Sequence, residues 1–252
     1  MHVRRALAVL GLCAALFLSA ACSPLAPFRE AADTAGTCDP APPPENDVDG
    51  VYVLPDDGRA PVLDEIDRAR CWIDVTTYLI SDDATIDALV RAERRGVRVR
   101  LIHEEAPFGG GTGLVETAEG LVDAGIEVRT GPSEFRFIHA KYLVIDQRVA
   151  IVTNQNLTYS AYESNREVGV ITTNPGDVAT LAAIFEADWT ETAPPVAAGR
   201  LIVSPQNARS RMLELISNAE HAIDLYAEVI RDDEIIDALS TAGSSWNRAQ
   251  IV

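Results

Sequence analysis

The chain has 252 residues, of which 47% are hydrophobic, and a formal net charge of −17. This length suffices for one large domain or two small ones with a sizeable core. A chain this acidic lacks the basic surface that nonspecific nucleic-acid binding requires, and anionic membrane surfaces repel it on average. The overall charge therefore disfavours a nucleic-acid-binding protein.

The first 21 residues predict an export signal. Arg4 and Arg5 precede an apolar run, residues 6–18, that is shorter than a membrane-spanning helix. Small residues end at Ala21 and Cys22 follows, so two interpretations stay open: a bacterial lipoprotein with its lipid on Cys22, or ordinary secretion after the same cleavage. Either one predicts an exported protein, in the cell envelope, the periplasm or the medium. Lipidation would add a membrane contact.

Residues 22–48 contain several prolines among Ala, Asp and Glu and show no apolar period, which predicts a semi-extended linker. Export would permit a disulfide between Cys38 and Cys71. Equally, Cys71 could be a buried thiol, because it stands at the head of an apolar segment. The spacing of cysteine and histidine predicts no zinc site, and we expect no metal or other cofactor.

The chain repeats itself at an offset of 150 residues. Many residues between positions 55 and 89 recur identically 150 positions later, and no gap is needed to align them. They are Pro55, Arg59, Leu63, Ile66, Ala69, Ile73, Asp74, Ile80, Asp82, Asp83, Ile86, Asp87, Ala88 and Leu89. Such self-similarity predicts two copies of one supersecondary unit.

Each copy has the pattern helix, strand, helix. In the first copy, residues 61–70 predict a helix, residues 72–80 a buried strand, and the segment after Asp82 a second helix that this residue caps. Further strands are predicted near 97–101 and at 126–129, 139–145, 149–152 and 167–172, with helices at 114–124 and 178–189. Alternating strands and helices predict an α/β sandwich.

This pattern divides the chain into a first half, residues 49–195, and the start of a second half, residues 196–252. Two prolines, Pro194 and Pro195, mark the junction. We expect the second copy to be truncated, because the counterpart of the polar strand described next would lie beyond residue 252.

One predicted strand carries the most reactive side chains. His139 and Lys141 are two residues apart, so in a strand both side chains point to the same face, about 6–7 Å apart. An imidazole beside an ammonium suits a nucleophile or base next to a phosphate clamp. The polar residues that follow are Asp146, Asn154, Asn156 and Glu167.

A second polar group follows the strand predicted near residues 97–101. His103, Glu104 and Glu105 could in principle bind a metal ion. We favour a solvated strand end, because three adjacent polar residues are common where a strand meets solvent.

The spacing around His139 resembles the signature of the phospholipase D superfamily, H-x-K-x4-D-x6-G-S-x-N with a later N-x-E. Thr153 and Asn154 stand where that signature has Gly-Ser, so Asn154 is a candidate for the phosphate contact that the serine makes. The resemblance extends over roughly residues 50–252. It implies a phospholipase D-like α/β sandwich with a central mixed sheet flanked by helices, here with an incomplete second repeat.

The resemblance also implies a role for each residue of the motif. His139 would be the nucleophile that forms a phosphohistidine, and Lys141 and Asn156 would bind the phosphate oxygens. Glu167 would orient the imidazole. Asp146 belongs to the catalytic signature, although we expect it to fix the strand end. No metal or other cofactor is implied.

A complete site in this family brings two such motifs together, so that one histidine attacks and the other protonates the leaving alcohol. Because this chain contains one motif, either two chains pair as a homodimer to complete the site, or the chain is weakly active or inactive. We favour an exported phosphodiesterase that acts on phospholipid headgroups. The alternatives are a nuclease, which the negative charge disfavours, a cardiolipin synthase-like phosphatidyl transferase, which export disfavours, and a non-catalytic relic.

Overall fold

The computed structural model describes residues 49–108, 110, 113–194, 199–246 and 249–251. The predicted export signal and linker, with Cys22 and Cys38, lie outside these residues and stay predictions. Within the described ranges, no helix is both long enough and apolar enough to cross a membrane.

Strands and helices alternate along the described chain. The strands are β1 Asp49–Leu54, β2 Trp72–Thr77, β3 Arg98–His103, β4 Glu127–Thr130, β5 Tyr142–Ile145, β6 Val149–Thr153, β7 Glu167–Thr172, β8 Ile223–Leu225 and β9 Ala249–Ile251. The helices are α1 Ala60–Arg68, α2 Asp83–Arg94, α3 Leu114–Asp123, α4 Tyr159–Glu163, α5 Pro175–Thr190, α6 Ala208–Asn218 and α7 Asp233–Trp246.

The first seven strands form one sheet in the order β1-β7-β6-β5-β2-β3-β4. Its β2, β3 and β4 run parallel to one another, as expected where helices connect the strands, whereas the other neighbouring pairs are antiparallel. The predicted α/β sandwich with a central mixed sheet is confirmed.

Helices cover both faces of this sheet. Leu143 and Ile145 of β5 face the layer of α1, α2, α3 and α4, whereas Tyr142 and Val144 face α5, where they join the cluster around Phe185. Successive side chains of a strand point to opposite faces, so β5 is buried on both sides. Its unbroken apolar sequence follows from that position.

The strand predicted at 139–145 is shorter than expected. It begins only at Tyr142, so His139 and Lys141 lie in the segment that leads into β5. The Lys141 carbonyl accepts a hydrogen bond from Thr153 N at 3.0 Å, which extends the pairing with β6 by one residue. Sheet pairing thus reaches Lys141 but leaves His139 outside the strand.

The residues after position 199 repeat the first elements at the offset seen in the sequence. Helices α6 and α7 and strands β8 and β9 follow one another as α1, β2, α2 and β3 do. Ile223 lies opposite Ala249 in the parallel pair of β8 and β9, and Ile73 lies opposite Val99 in β2 and β3, so the register is the same after a shift of 150 residues.

One ion pair recurs at the same offset. Arg59 Nη2 lies 2.7 Å from Asp82 Oδ1, and Arg209 Nη2 lies 2.6 Å from Asp232 Oδ2. The first pair is the more enclosed, because the Asp82 side chain is 2% exposed and that of Asp232 is 32% exposed. The repeated helices share a small hydrophobic core of their own.

Cys71 precedes β2 and is buried. It is disulfide-bonded, which disagrees with the alternative of a free buried thiol. Its predicted partner, Cys38, lies outside the described residues, so that pairing stays a prediction.

Candidate active site

His139 and Lys141 meet at the end of the sheet where β5 begins. The Lys141 ammonium nitrogen lies 3.1 Å from His139 Nδ1 and 3.4 Å from Nε2, and it donates to the His139 carbonyl oxygen at 2.8 Å. Lys141 is buried and His139 is exposed. The prediction that the side chains stand apart at strand spacing was wrong, because the lysine folds back onto the imidazole in a segment that precedes the strand.

The protonation of this pair suits a nucleophile beside a cation. The imidazole is exposed at its surface but partly enclosed by its neighbours, and this partial burial lowers the pKa of His139; the positive charge of Lys141 lowers it further. Burial also lowers the pKa of Lys141 to about 8, against the opposing charges of Glu167 and Glu228. At neutral pH the imidazole is therefore mostly unprotonated while the ammonium keeps most of its charge.

Tyr78 forms one wall of the site. Its ring centroid lies 4.6 Å from that of His139 and 5.5 Å from the Lys141 ammonium nitrogen. Its hydroxyl accepts a hydrogen bond from the Phe108 backbone N–H, which fixes the ring. Sequence reasoning missed this residue, because its place after an apolar strand looks the same as that of an ordinary core tyrosine.

The residues after β6 cross the same end of the sheet. Asn154 Oδ1 accepts a hydrogen bond from Val168 N at 2.7 Å and so ties β6 to β7. Asn156 is half-buried, and its buried side-chain oxygen has no hydrogen-bond partner among the described residues. Asn156 thus keeps a buried polar atom without a partner, which makes it a candidate for a ligand contact.

Glu167 opens β7 and is half-buried. Its carboxylate accepts a hydrogen bond from Asn165 Nδ2 at 3.2 Å, and within the described chain no hydrogen bond joins it to His139. Its charge instead raises the pKa of Lys141. The predicted orientation of the imidazole by Glu167 stays a prediction.

Asp146 lies at the opposite end of β5 from Lys141, about 16 Å away along an extended chain. Its buried carboxylate accepts hydrogen bonds from the backbone N–H groups of Arg70, Cys71 and Trp72 at 3.0, 2.8 and 3.1 Å. These contacts fix the start of β2, in line with the expectation that Asp146 fixes the strand end, and its place in the catalytic signature stays a prediction.

The end of β3 corrects another expectation. His103 and Glu104 are buried and not solvated. Glu104 Oε2 accepts a hydrogen bond from Ile138 N at 2.8 Å, next to His139, and Oε1 accepts one from Ala106 N at 3.0 Å. In the part of the chain that the structure describes, no group of three or more His, Cys, Asp or Glu is arranged to hold a metal ion.

Glu228, from the second copy, is a further group that sequence reasoning missed. Its charge raises the pKa of both His139 and Lys141. Nearby in the chain, the Tyr226 hydroxyl donates to the Arg166 carbonyl oxygen at 3.4 Å. The segment after β8 therefore lies beside the site, which the sequence pattern alone does not indicate.

Comparison with known proteins gives a consistent family. A family model described as "Cardiolipin synthase, PLD-like domain" matches residues 62–189. Cardiolipin synthase A of Pseudomonas aeruginosa is 34% identical over 126 residues, which are 48% of this chain and 25% of that protein. Mitochondrial cardiolipin hydrolase of Homo sapiens is 32% identical over 124 residues, 48% of this chain and 46% of that protein. The chain thus spans between a quarter and a half of these relatives.

Solved structures agree with this match. The phospholipase D family member Nuc from Salmonella typhimurium superposes with a TM-score of 0.54 at 25% identity, over 60% of this chain and 99% of that one. Polyphosphate kinase from Porphyromonas gingivalis shares the fold, with a TM-score of 0.65 at 17% identity over 81% of this chain and 37% of that one. Since the family model covers half of the chain and includes the whole His139–Glu167 motif, the protein belongs to the phospholipase D superfamily.

Proposed function

We propose that the protein is an exported phosphodiesterase of the phospholipase D type, which hydrolyses phospholipid headgroups through a phosphohistidine at His139. The observation that carries this proposal is the 3.1 Å contact between the Lys141 ammonium nitrogen and His139 Nδ1. Together with burial, a cation at this distance lowers the pKa of the imidazole, and it stands where it can also neutralise a bound phosphate.

The reaction divides into two displacements at phosphorus. In the first, the unprotonated ring nitrogen of His139 forms a P–N bond, and the P–O bond to the leaving alcohol breaks with its electron pair on oxygen. In the second, water attacks phosphorus and gives a proton to the group that protonated the alcohol, while the P–N bond breaks and the imidazole is restored. Lys141 stabilises the charge that develops on the phosphate oxygens in both steps.

Asn156 completes the phosphate site in this proposal. Its unpartnered side-chain oxygen is buried, and half a turn of the amide exchanges that oxygen for an N–H donor. Asn154 uses its oxygen to accept from Val168 N, so only its NH₂ group remains as a donor for a phosphate oxygen.

The leaving alcohol takes up a proton, and we propose that the same histidine of a second copy supplies it in a homodimer. In the reacting dimer one of the two imidazoles is then unprotonated and the other carries the proton. Activity that rises faster than linearly with protein concentration supports this pairing. Full activity in a chain shown to be monomeric in solution contradicts it.

Phospholipid is the substrate class that the names of the relatives favour. Beside cardiolipin synthase and cardiolipin hydrolase, "Phospholipase D" of Rickettsia prowazekii is 29% identical over 107 residues. The net charge of −17 disfavours nucleic acid, as a polyanion, as the substrate. Transfer of the phosphatidyl group to a second alcohol is the alternative that the same intermediate permits.

Export, with a lipid on Cys22, is supported by the first 22 residues of the sequence.

The test compares headgroup release from short-chain phospholipid with cleavage of a single-stranded oligonucleotide by the full chain. We expect lipid hydrolysis, and a phosphoryl adduct on His139 after acid-free quenching and mass spectrometry. His139→Ala should lower turnover by at least about 10⁴-fold, whereas the matched control His221→Ala, at an exposed position of the second copy, should not. Full turnover in His139→Ala contradicts the mechanism, and preferential cleavage of the oligonucleotide contradicts the substrate class.

A further inference from the structure

Glu104 connects the end of β3 to the segment that carries His139. Its two carboxylate oxygens accept from different backbone donors: Oε2 from Ile138 N at 2.8 Å, 34 residues away along the chain, and Oε1 from Ala106 N at 3.0 Å. The side chain is 9% exposed. A charged acceptor that is shielded in this way makes stronger hydrogen bonds than a neutral or solvated one.

Ile138 is held from a second direction by Gly131. A Cβ atom on Gly131 would stand 1.8 Å from Ile138 Cγ1, so the isoleucine packs against a position that has no room for a side chain. Gly131 N in turn donates to the His103 carbonyl oxygen at 3.2 Å. The end of β3 therefore holds both ends of the loop of residues 131–138.

This attachment matters because the His139 backbone lies outside the strand, where its carbonyl oxygen accepts a hydrogen bond from the Lys141 ammonium at 2.8 Å. Pairing with β6 begins at the Lys141 carbonyl, and the His139 side chain is exposed. The peptide unit between Ile138 and His139 directly follows the bond to Glu104. A shift of that bond moves His139 relative to Tyr78, against whose ring the imidazole lies at a centroid distance of 4.6 Å.

We propose that Glu104 is a positioning residue for His139, acting through the Ile138 backbone. The effect on turnover rests on the proposed function, but the effect on the position of His139 does not. A purely structural role predicts something different: loss of the carboxylate would then lower stability and leave the surroundings of His139 unchanged.

The experiment uses Glu104→Gln in the full chain, with Glu105→Gln as the matched control. The amide has one acceptor oxygen, so it can serve one backbone donor and turns an NH₂ group toward the other. Glu105 is the exposed neighbour and undergoes the same change of charge. We expect the exchange of the Ile138 amide hydrogen to speed up by about 10- to 100-fold in Glu104→Gln alone.

Two further readouts report on His139 itself. The charge of Glu104 raises the pKa of His139, so the ring NMR signals are recorded at a pH where the imidazole is fully unprotonated in every variant. Under that condition they should shift in Glu104→Gln, because the imidazole moves in the ring-current field of Tyr78, and they should stay in place in Glu105→Gln. In an active preparation, kcat should fall by about 10- to 100-fold with KM changed by less than about threefold, since misplacement of a nucleophile affects the chemical step.

Unchanged His139 signals in folded Glu104→Gln overturn the proposal. So does faster exchange spread evenly over the whole sheet, which would mark a general loss of stability. Should Glu104→Gln fail to fold, Glu104→Asp is the second variant. Its side chain is one methylene shorter, so we expect it to keep the bond from Ala106 N, two residues away, and to lose the one from Ile138 N. Unchanged His139 signals in Glu104→Asp then overturn the proposal as well. If the wild type hydrolyses neither lipid nor oligonucleotide, the proposed function fails while the exchange and NMR results still decide the role of Glu104.

Discussion

His139 is a nucleophile only when a ring nitrogen is unprotonated, and Lys141 binds phosphate well only while it is charged. The contact between the Lys141 ammonium and the His139 ring favours both protonation states. Burial lowers the pKa of each group, and the lysine charge lowers that of the histidine further. The pair is therefore competent over a pH window that begins below the ordinary pKa of histidine and ends near the lowered pKa of the lysine.

This window predicts a bell-shaped dependence of kcat/KM on pH. The acid limb should rise through a pKa below 6.5, as the imidazole loses its proton, and the alkaline limb should fall through about 8, as the ammonium loses its own. In Lys141→Arg the guanidinium stays charged, so the alkaline limb should disappear at whatever activity remains. An alkaline limb that persists near pH 8 in this variant would assign the limb to another group.

At the scale of single elements, β5 has different tasks at its two ends. Lys141 precedes it at the site. Asp146 follows it at the turn, where its carboxylate accepts hydrogen bonds from three backbone N–H groups. Asp146 also has a positive φ of 54°, which Asn and Asp tolerate better than most residues. The motif thus combines the residues that we propose for catalysis with one that fixes the strand.

We expect Asp146→Asn to lower the free energy of unfolding by about 2–3 kcal/mol, because a neutral amide satisfies fewer of the three buried donors and accepts from them less strongly. Urea unfolding measures this change. Asp87→Asn, at an exposed position of α2, is the control and should stay within about 0.5 kcal/mol. Loss of turnover in fully folded Asp146→Asn, equal to that of His139→Ala, would assign Asp146 to the catalytic group.

At the scale of the whole molecule, both copies of the repeat contain the same Arg–Asp ion pair, but it is more buried in the first copy than in the second. Arg59 binds the buried Asp82, also bonds Glu163 of α4, and lies over the Tyr162 ring. Burial alone would raise the pKa of Asp82, but the hydrogen bonds from Arg59 and Thr85 outweigh it and leave the pKa lowered. The ion pair is therefore shielded from solvent in the first copy, whereas its counterpart in the second copy is partly exposed.

Arg59→Met should lower the free energy of unfolding by about 2 kcal/mol, because it leaves the Asp82 carboxylate buried without its partner; the value is below that of a fully buried pair, since Arg59 is partly exposed. Arg209→Met removes the corresponding pair of the second copy and should have little effect, because Asp232 regains water. Denaturant unfolding of both variants checks the difference. Equal losses would show that enclosure does not distinguish the two pairs.

Much of the architecture follows from local sequence features. Asp82 caps α2 as predicted, with its side chain accepting from Thr85 N, and β7 spans the predicted residues 167–172. Continuous apolar runs correctly indicated buried strands, because a strand covered by helices on both faces has no solvent-facing positions that require polar residues. The start of β5 was misplaced by three residues, since strand propensity does not record where pairing with a neighbour begins.

The sequence by itself determined the family, the repeat and the motif residues, because these depend on spacing along the chain, which a linear pattern records in full. Only the tertiary structure decided that Glu104 is buried against Ile138, that Tyr78 walls the site and that Asp146 lies away from it. Each of these depends on which segments meet across the sheet. The sequence around a carboxylate at a strand end is the same whether the carboxylate contacts water or a backbone N–H. Its role therefore depends on which group the folded chain places next to it.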